Sequence, residues 1–448
     1  MLKNSLTLRQ AELVVAVLSD VLGNGATLDR AYARQFAEVR LAPTEQANIA
    51  FVTGDLMRRL NLYTLLAGVS MDEAAVAGWS LICVWHQFYN LPLPPCPAAS
   101  LFNLKSYESR KANARNLPAL WDGCPEWLDA LGEEQLGDSW AAERRALTQH
   151  PKRFLRVNTL KCDQNALTQR LLDERVNVRP VSGIANALEV LNDAALFRTD
   201  SFQDGWFEQQ DAGSQQIAEF LDVQPGMRVI DACAGAGGKT LHLAALMQGK
   251  GRLLALDVEQ WKLENLKQRA RRAGAHNIET RLISSSKTIK RLKESADRLL
   301  LDVPCSGLGV LKRNPDAKWR DAAQRLPILM ALQADILTRY SKMVKPGGEL
   351  VYATCSILPC ENQDQVAKFL DEQQGAFTLV RERVISPAQS GFDGFYMALI
   401  RREALPAAAA SDHTSAEVEA EAEAEIETIE TEVEVEAEAE TETETDSK

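Results

Sequence analysis

Hydrophobic spacing divides the chain into a helical start, a mixed middle and a long strand–helix alternation. Residues 6–22 carry apolar positions at helical spacing. Pro43 followed by Thr44 predicts a helix running to 67 with Thr44 as its N-cap, and Ser70 with Glu73 fits a capping box ahead of an apolar stretch ending near 84. Residues 91–97 hold prolines at 92, 94, 95 and 97, which predicts a stiff connector rather than helix or central strand. In the mixed stretch 98–223, a strand is expected over 153–158 and a helix over 165–174. From 224 onward short aliphatic runs recur at 227–231, 252–257, 280–283, 298–303 and 349–353, with helical patterns between most of them at 242–247, 261–274 and 326–343. Strands with so little polar punctuation belong to a parallel sheet covered on both faces. The runs 377–384 and 395–400 have no helix between them and predict an antiparallel pair closing one edge. The expected organisation is a helical domain over 1–90, a connector and helical segment over 91–149, a small α+β subdomain over 150–223, an α/β domain over 224–403 and a tail over 404–448.

Charge changes the picture of that tail. The whole chain of 448 residues has a net charge of −12, but Ser411 to Lys448 alone carries 16 acidic residues and one Lys. Residues 1–410 therefore stand at +3, a mildly basic body hidden by an acidic end. Glu alternating with Ala, Thr, Val and Ile, without aromatics, cannot bury enough surface to fold alone, so a solvated disordered tail is expected. An acidic decoy that competes with nucleic acid for the basic surface is the alternative. Residues 1–10 are mixed polar, and no uncharged apolar run reaches the ~18 residues that a membrane span needs. Eight cysteines in such a chain read as reduced thiols in the cytoplasm, with no membrane association.

The first candidate site is the run Val229-Ile230-Asp231-Ala232-Cys233-Ala234-Gly235-Ala236-Gly237-Gly238-Lys239-Thr240, a strand entering a Gly-rich turn that opens a helix. Such a turn lets a ligand approach the backbone and presents N–H groups at a helix start. A phosphate-binding P-loop requires glycine where Cys233 stands, and the third glycine of a dinucleotide fingerprint would fall on Thr240. A nucleoside site remains, with Asp257 at the end of the next strand, 22 residues after Gly235, placed to accept from ribose hydroxyls.

Two thiols follow two other strands: Cys305 in Leu301-Asp302-Val303-Pro304-Cys305-Ser306-Gly307, and Cys355 in Tyr352-Ala353-Thr354-Cys355-Ser356. In an open parallel sheet both would face the crevice beyond the carboxyl ends, beside the glycine turn. Zinc is not expected, because no C-x-x-C pair exists and the chain has only five His. A Cys305–Cys355 disulfide is geometrically conceivable but disfavoured by the compartment.

The segments around Asp231–Thr240, Leu301–Trp319 and Val351–Asn362 resemble three signature motifs of the Nol/Nop/Sun family of RNA cytosine-5 methyltransferases. The stretch Gly309-Val310-Leu311-Lys312-Arg313-Asn314-Pro315-Asp316-Ala317-Lys318-Trp319 is the most specific part. The likeness runs from about His150 to Arg401, and a weaker one through the helical start resembles the antiterminator-type RNA-binding domain of the bacterial small-subunit rRNA branch. The resemblance implies a Rossmann-like class I methyltransferase sheet, S-adenosylmethionine as cofactor and RNA as partner, with rRNA foremost and tRNA the alternative. It implies Cys355 as the nucleophile on carbon 6 of cytosine, Cys305 as the group assisting release, and Asp302 where the base edge and the cofactor meet. Cys233, Ala234, Gly235, Ala236, Gly237, Gly238, Lys239 and Asp257 would hold the cofactor. Where the family often has Gly-Asp after the third strand, this chain has Ser284-Ser285-Ser286, which puts Ser285 at the place of an adenine contact. A monomer without metal is expected.

The chemistry explains the thiols. Carbon 5 of cytosine is a poor nucleophile until a thiolate adds to carbon 6, breaks the aromaticity and pushes electron density onto it. Removing the carbon 5 proton and expelling the thiolate then needs a second acid/base group. In cytosine-5 DNA enzymes the Pro-Cys cysteine attacks, so a swapped assignment to Cys305 stays open. Lys287, Lys290, Arg291 and Lys293 form one basic cluster, and Lys312, Arg313, Lys318 and Arg320 form a second. The second lies beside Cys305 and is expected to meet RNA phosphates, with Trp319 either lining the substrate groove or packed in the core. A rival reading is a non-catalytic RNA-binding assembly factor, against which the intact Cys305, Cys355, Asp302 and glycine turn argue. An amino-methyltransferase would carry Asn/Asp-Pro-Pro-Tyr where Asp302-Val303-Pro304-Cys305 stands.

Overall fold

Apolar stripes at helical spacing build the first layer. The computed structural model describes residues 5–37, 39–320 and 322–404, and the acidic segment expected to be disordered lies outside them apart from Ala404. Helices Leu8–Asn24, Leu28–Ala37, Pro43–Arg58, Leu60–Ala67 and Gly78–Phe88 bury Val14, Val17, Leu18, Val52, Leu56 and Trp85 in one core. At its centre one Asp55 oxygen accepts from Tyr63 Oη at 2.9 Å, Trp85 Nε1 at 2.9 Å and Tyr89 Oη at 2.8 Å.

Two helix starts differ from expectation. Pro43 itself occupies the first helical turn, with extended Ala42 before it, and Glu45 accepts the Ala42 N–H at 2.8 Å. Proline has no N–H to satisfy, so the helix begins at Pro43, two residues before a helix capped by Thr44 would. The helix also breaks at Arg59 instead of running unbroken to 67. Ser70 and Glu73 do bond, at 2.8 and 2.9 Å, but the next helix begins only at Gly78. A local pair of this kind satisfies a turn and does not commit the residues beyond it. Residues 91–96 form no regular element, and Pro97–Leu101 is a short helix.

Two sheets follow. Strands β1 (Arg153–Val157), β2 (Val178–Pro180), β3 (Ala187–Val190) and β4 (Phe207–Gln209) form an antiparallel sheet in the order β2-β3-β1-β4, backed by helix Gln164–Asp173 through Leu167 and Leu171. The large sheet comprises β5 (Arg228–Asp231), β6 (Arg252–Asp257), β7 (Ile278–Leu282), β8 (Ala296–Asp302), β9 (Val344–Thr354), β10 (Phe377–Ile385) and β11 (Phe395–Arg402), in the order β10-β11-β9-β8-β5-β6-β7. β5 to β9 run parallel, and β10 and β11 add antiparallel at one edge. This is the α/β architecture that the alternation and the resemblance predict. After β5 the chain winds to β6 and β7 on one side, then returns to β8 on the other, which opens a crevice at the carboxyl ends of β5 and β8. Among the described residues no helix is long and apolar enough to cross a membrane, and no group of three or more His, Cys, Asp or Glu is placed to hold a metal ion.

The segment 309–319 fastens these layers together, and this corrects the expectation for its basic residues. Lys312, only 2% exposed, donates to the carbonyls of Gly391 at 3.0 Å and Phe392 at 2.7 Å. Arg313 pairs with Asp393 at 2.5 Å and Asp211 at 2.8 Å. Lys318 reaches into the helical layer, donating to Arg58 O at 2.8 Å and Gly123 O at 2.7 Å, while Arg58 Nε donates back to Lys312 O at 3.0 Å. Arg320 pairs with Asp316 at 3.1 Å. Lys312, Arg313 and Lys318 are thus internal fasteners rather than phosphate contacts, while Arg320 stays partly exposed. Trp319 packs against the helical core and donates to Met57 O at 2.6 Å, which settles it as core rather than groove. Lys287, Lys290, Arg291 and Lys293 remain exposed.

Burial, aided by Arg58 and Arg59, pushes the Lys318 ammonium down to about 7, against the pull of Cys124. The unfolded chain holds this proton up to about pH 10.4 and the folded chain releases it above 7, so stability rises with pH across that window. Lys318→Met is expected to flatten the rise by up to about 1.4 kcal/mol per pH unit. Urea midpoints of parent and variant at pH 7.5 and 9.5 check this; parallel shifts in the two proteins would contradict it.

Candidate active site

The glycine turn lies where the crevice opens. β5 ends at Asp231, flanked in register by Leu300 of β8 and Ala255 of β6, and helix Gly238–Leu246 starts directly after the turn. Gly235 and Gly237 have positive φ, +52° and +88°. At Gly237 a Cβ would also stand 2.1 Å from Leu266 Cδ1, so this position needs glycine twice over. Beside Gly235 and Gly238 a Cβ would meet nothing within 4 Å. The backbone there is open to a cavity of about 260 Å³ lined by Gln210, Ser214, Cys233, Ala234, Gly235, Ala236, Gly238, Lys239 and Asp302. A small ligand fits against this bare backbone, as the cofactor implied by the sequence requires.

Asp257 ends β6 and is tied to the turn. Its Oδ2 accepts from Gly235 N at 2.8 Å and its Oδ1 from Glu259 N at 2.9 Å. Val258, next to it, is 66% exposed although apolar. Asp257 and Gly237 thus adjoin the cavity without lining it. Ser285 is exposed, precedes the short helix Ser286–Lys290, and is not among the lining residues.

Charge concentrates at the floor. Lys239 Nζ bonds Asp302 Oδ2 at 2.5 Å. Burial works against the Lys239 charge, but Asp302, Cys355 and Asp231 outweigh it and hold the ammonium above its usual range. Asp231, 1% exposed, accepts from Thr240 Oγ1 at 2.7 Å; burial pushes its carboxyl up to about 7. Burial and then Asp231, Asp302 and Asp257 push the Cys233 thiol well up, so it stays protonated.

The two candidate thiols meet. Cys305 Sγ lies 3.2 Å from Cys355 Sγ, and the Cys355 N–H points at the Cys305 sulfur at 3.3 Å. Both cysteines are free and half-buried. The hydrogen bond to Cys355, then burial, the Cys355 charge and Glu361 hold the Cys305 thiol well above its ordinary range. The turn carrying Cys355 is fixed from behind: Gly309 N donates to Cys355 O at 2.9 Å, and a Cβ on Gly309 would stand 2.3 Å from Gly394 O and 2.7 Å from Cys355 O.

Several members of this arrangement escape sequence reasoning. Glu361, fully buried, accepts from Ser306 N at 2.8 Å, Ser306 Oγ at 2.5 Å and Gln333 Nε2 at 3.0 Å, bracing the Cys305 turn. Gln210 and Ser214, joined at 3.1 Å, enter the cavity from the segment after the small sheet. Arg156 of β1 donates to Gly238 O at 2.6 Å and to Gln210 Oε1. Glu361 reaches Ser306 from the segment after β9, while Gln210, Ser214 and Arg156 come to the glycine turn from the small sheet and the helix that follows it.

The sequence model of a family described as 16S rRNA methyltransferase RsmB/F matches residues 218–409, and that of the RsmF/B-like ferredoxin-like domain matches residues 124–196. A probable ribosomal RNA small subunit methyltransferase B of Synechocystis is 36% identical over 56% of this chain and 57% of its own length. Ribosomal RNA small subunit methyltransferase B of Vibrio vulnificus is 31% identical over 62% of this chain and 67% of its own length. Among solved structures, a methyltransferase homologue from Pyrococcus horikoshii superposes with a TM-score of 0.57 at 28% identity, covering 64% of this chain and 97% of that one. The chain thus spans between about half and two thirds of the length of the relatives it matches.

Gly237→Ala combines positive-φ strain with a clash and is expected to destabilise the protein by about 2–4 kcal/mol. Gly238→Ala meets open space and should change stability by less than about 0.5 kcal/mol. Denaturant midpoints of both variants check this; equal midpoints would remove the packing role of Gly237.

Proposed function

We propose, since this chain belongs to the RsmB/F family of 16S rRNA methyltransferases, that it methylates carbon 5 of a cytosine in small-subunit ribosomal RNA, with Cys355 as nucleophile on carbon 6. The observation that carries the reading is the Cys305–Cys355 pair, 3.2 Å apart after the adjacent strands β8 and β9. Neither sulfur lines the cavity at the glycine turn, but Lys239, which does, feels the charge of Cys355. S-adenosylmethionine, held by the turn from Cys233 to Lys239 with Asp257 at its side, supplies an electrophilic methyl group.

Cys355 adds to carbon 6 as a thiolate, and the displaced electron density makes carbon 5 nucleophilic. Asp302, anchored by Lys239, lines the cavity three residues before Cys305 and in this reading would meet the base edge. Cys305 serves the release step. Cys305, as a thiolate, takes the proton on carbon 5. The electrons of that C–H bond restore the ring double bond and expel the Cys355 thiolate. A cytosine must be single-stranded or flipped to reach the crevice, since its ring carbons are covered in a stacked duplex. The exposed cluster of Lys287, Lys290, Arg291 and Lys293 supplies positive charge on the same body.

Cys355→Ala is expected to abolish transfer from labelled S-adenosylmethionine to small-subunit rRNA. Cys305→Ala should instead accumulate a covalent protein–RNA adduct that survives denaturing gel electrophoresis. The reverse pattern would assign the attack to Cys305, and absence of transfer by the parent to any cellular RNA would leave a non-catalytic RNA-binding protein.

A further inference from the structure

Two carbonyl oxygens of the glycine turn are each taken by an arginine from outside it. Arg269, on helix Gln260–Ala273, donates Nη1 to Ala236 O at 2.6 Å and Nη2 to Glu208 Oε2 at 2.9 Å. Arg156 of β1 donates to Gly238 O at 2.6 Å. Arg156 sits directly opposite Glu208 of β4 in the register of the small sheet, and the two side chains are 2% and 4% exposed. Burial pushes the Arg156 guanidinium down to about 10, with Glu208 acting to restore it. Arg272 completes the group by pairing with the other Glu208 oxygen. Unlike Arg156 and Arg269, its guanidinium stacks over Phe202, 3.9 Å from the ring centroid.

The peptide unit is planar, so fixing the Ala236 and Gly238 carbonyls also fixes the N–H groups of Gly237 and Lys239. A turn with two positive-φ glycines has many conformations to lose when it meets a ligand. Charged donors held in place by a buried carboxylate remove that freedom beforehand. Arg suits the task because its rigid fork bonds a carbonyl and a carboxylate at once.

We propose that Arg269, oriented by Glu208, and Arg156, bonded to Gln210, are positioning residues that pre-form the S-adenosylmethionine turn, so that cofactor affinity depends on strands β1 and β4 of the small sheet. The inference rests on the function proposed above. Calorimetric titration of the full chain with S-adenosylmethionine tests it. Arg269→Met is expected to weaken binding about ten-fold and to raise KM for the cofactor, with kcat within about two-fold of the parent. Arg272→Met, which loses a bond to the other Glu208 oxygen and the stacking on Phe202 but no bond to the turn, should bind within about two-fold of the parent. Unchanged affinity in Arg269→Met, or an equal loss in Arg272→Met, overturns the inference while leaving the function in place. Where the Met variant does not fold, Arg269→Lys decides: it keeps the charge but cannot hold both partners, and parent-like affinity in it overturns the clamp. A parent chain that binds no S-adenosylmethionine overturns the proposed function itself.

Discussion

The parallel register of β8 and β9 is the constraint on which the site depends. Asp302 lies opposite Ala353, so the chain leaves both strands at the same level, and the turns that follow bring Cys305 and Cys355 into contact at 3.2 Å. Adjacent strands are about 4.8 Å apart, close enough for short side chains on neighbouring turns to touch. A slip of one residue in either strand would turn one sulfur to the opposite face. The two turns brace each other: Glu361, on the segment after Cys355, accepts from Ser306, and Gly309, on the segment after Cys305, donates to Cys355 O.

Burial of charge gives the site its second character. Asp231, Asp257 and Asp302 surround the glycine turn, and Lys239 is spent on Asp302. Burial and then the surrounding carboxylates raise the Cys233 thiol, while the neighbouring sulfur and then burial raise that of Cys305.

Cations elsewhere do mechanical work. Lys312, Arg313 and Lys318 sit in one short run yet reach three different parts of the molecule: the turn at 391–392, the carboxylates of Asp211 and Asp393, and the carbonyls of Arg58 and Gly123. A buried ammonium is costly; two carbonyls apiece offset part of that cost for Lys312 and Lys318, and burial still lowers both groups. Arg156 and Arg269 likewise donate to carbonyls of the glycine turn, with Glu208 as the counter-charge of Arg269.

The sequence by itself determined the large sheet, its antiparallel edge, and the placing of the glycine turn and both thiols after strands, because aliphatic runs of strand length and helical spacing are local properties. Its motifs also named the family. Local signals misplaced the Thr44 cap and the start of the helix at Gly78, where proline chemistry and a self-contained turn prevail over pattern. Only the tertiary structure decided that Lys312, Arg313 and Lys318 face inward, since charge in a sequence does not say which side of a turn it occupies. It alone brought Gln210, Ser214, Arg156 and Glu361 to the site. Their partners lie between 4 and 82 residues away along the chain, and packing of one element against another leaves no trace in spacing.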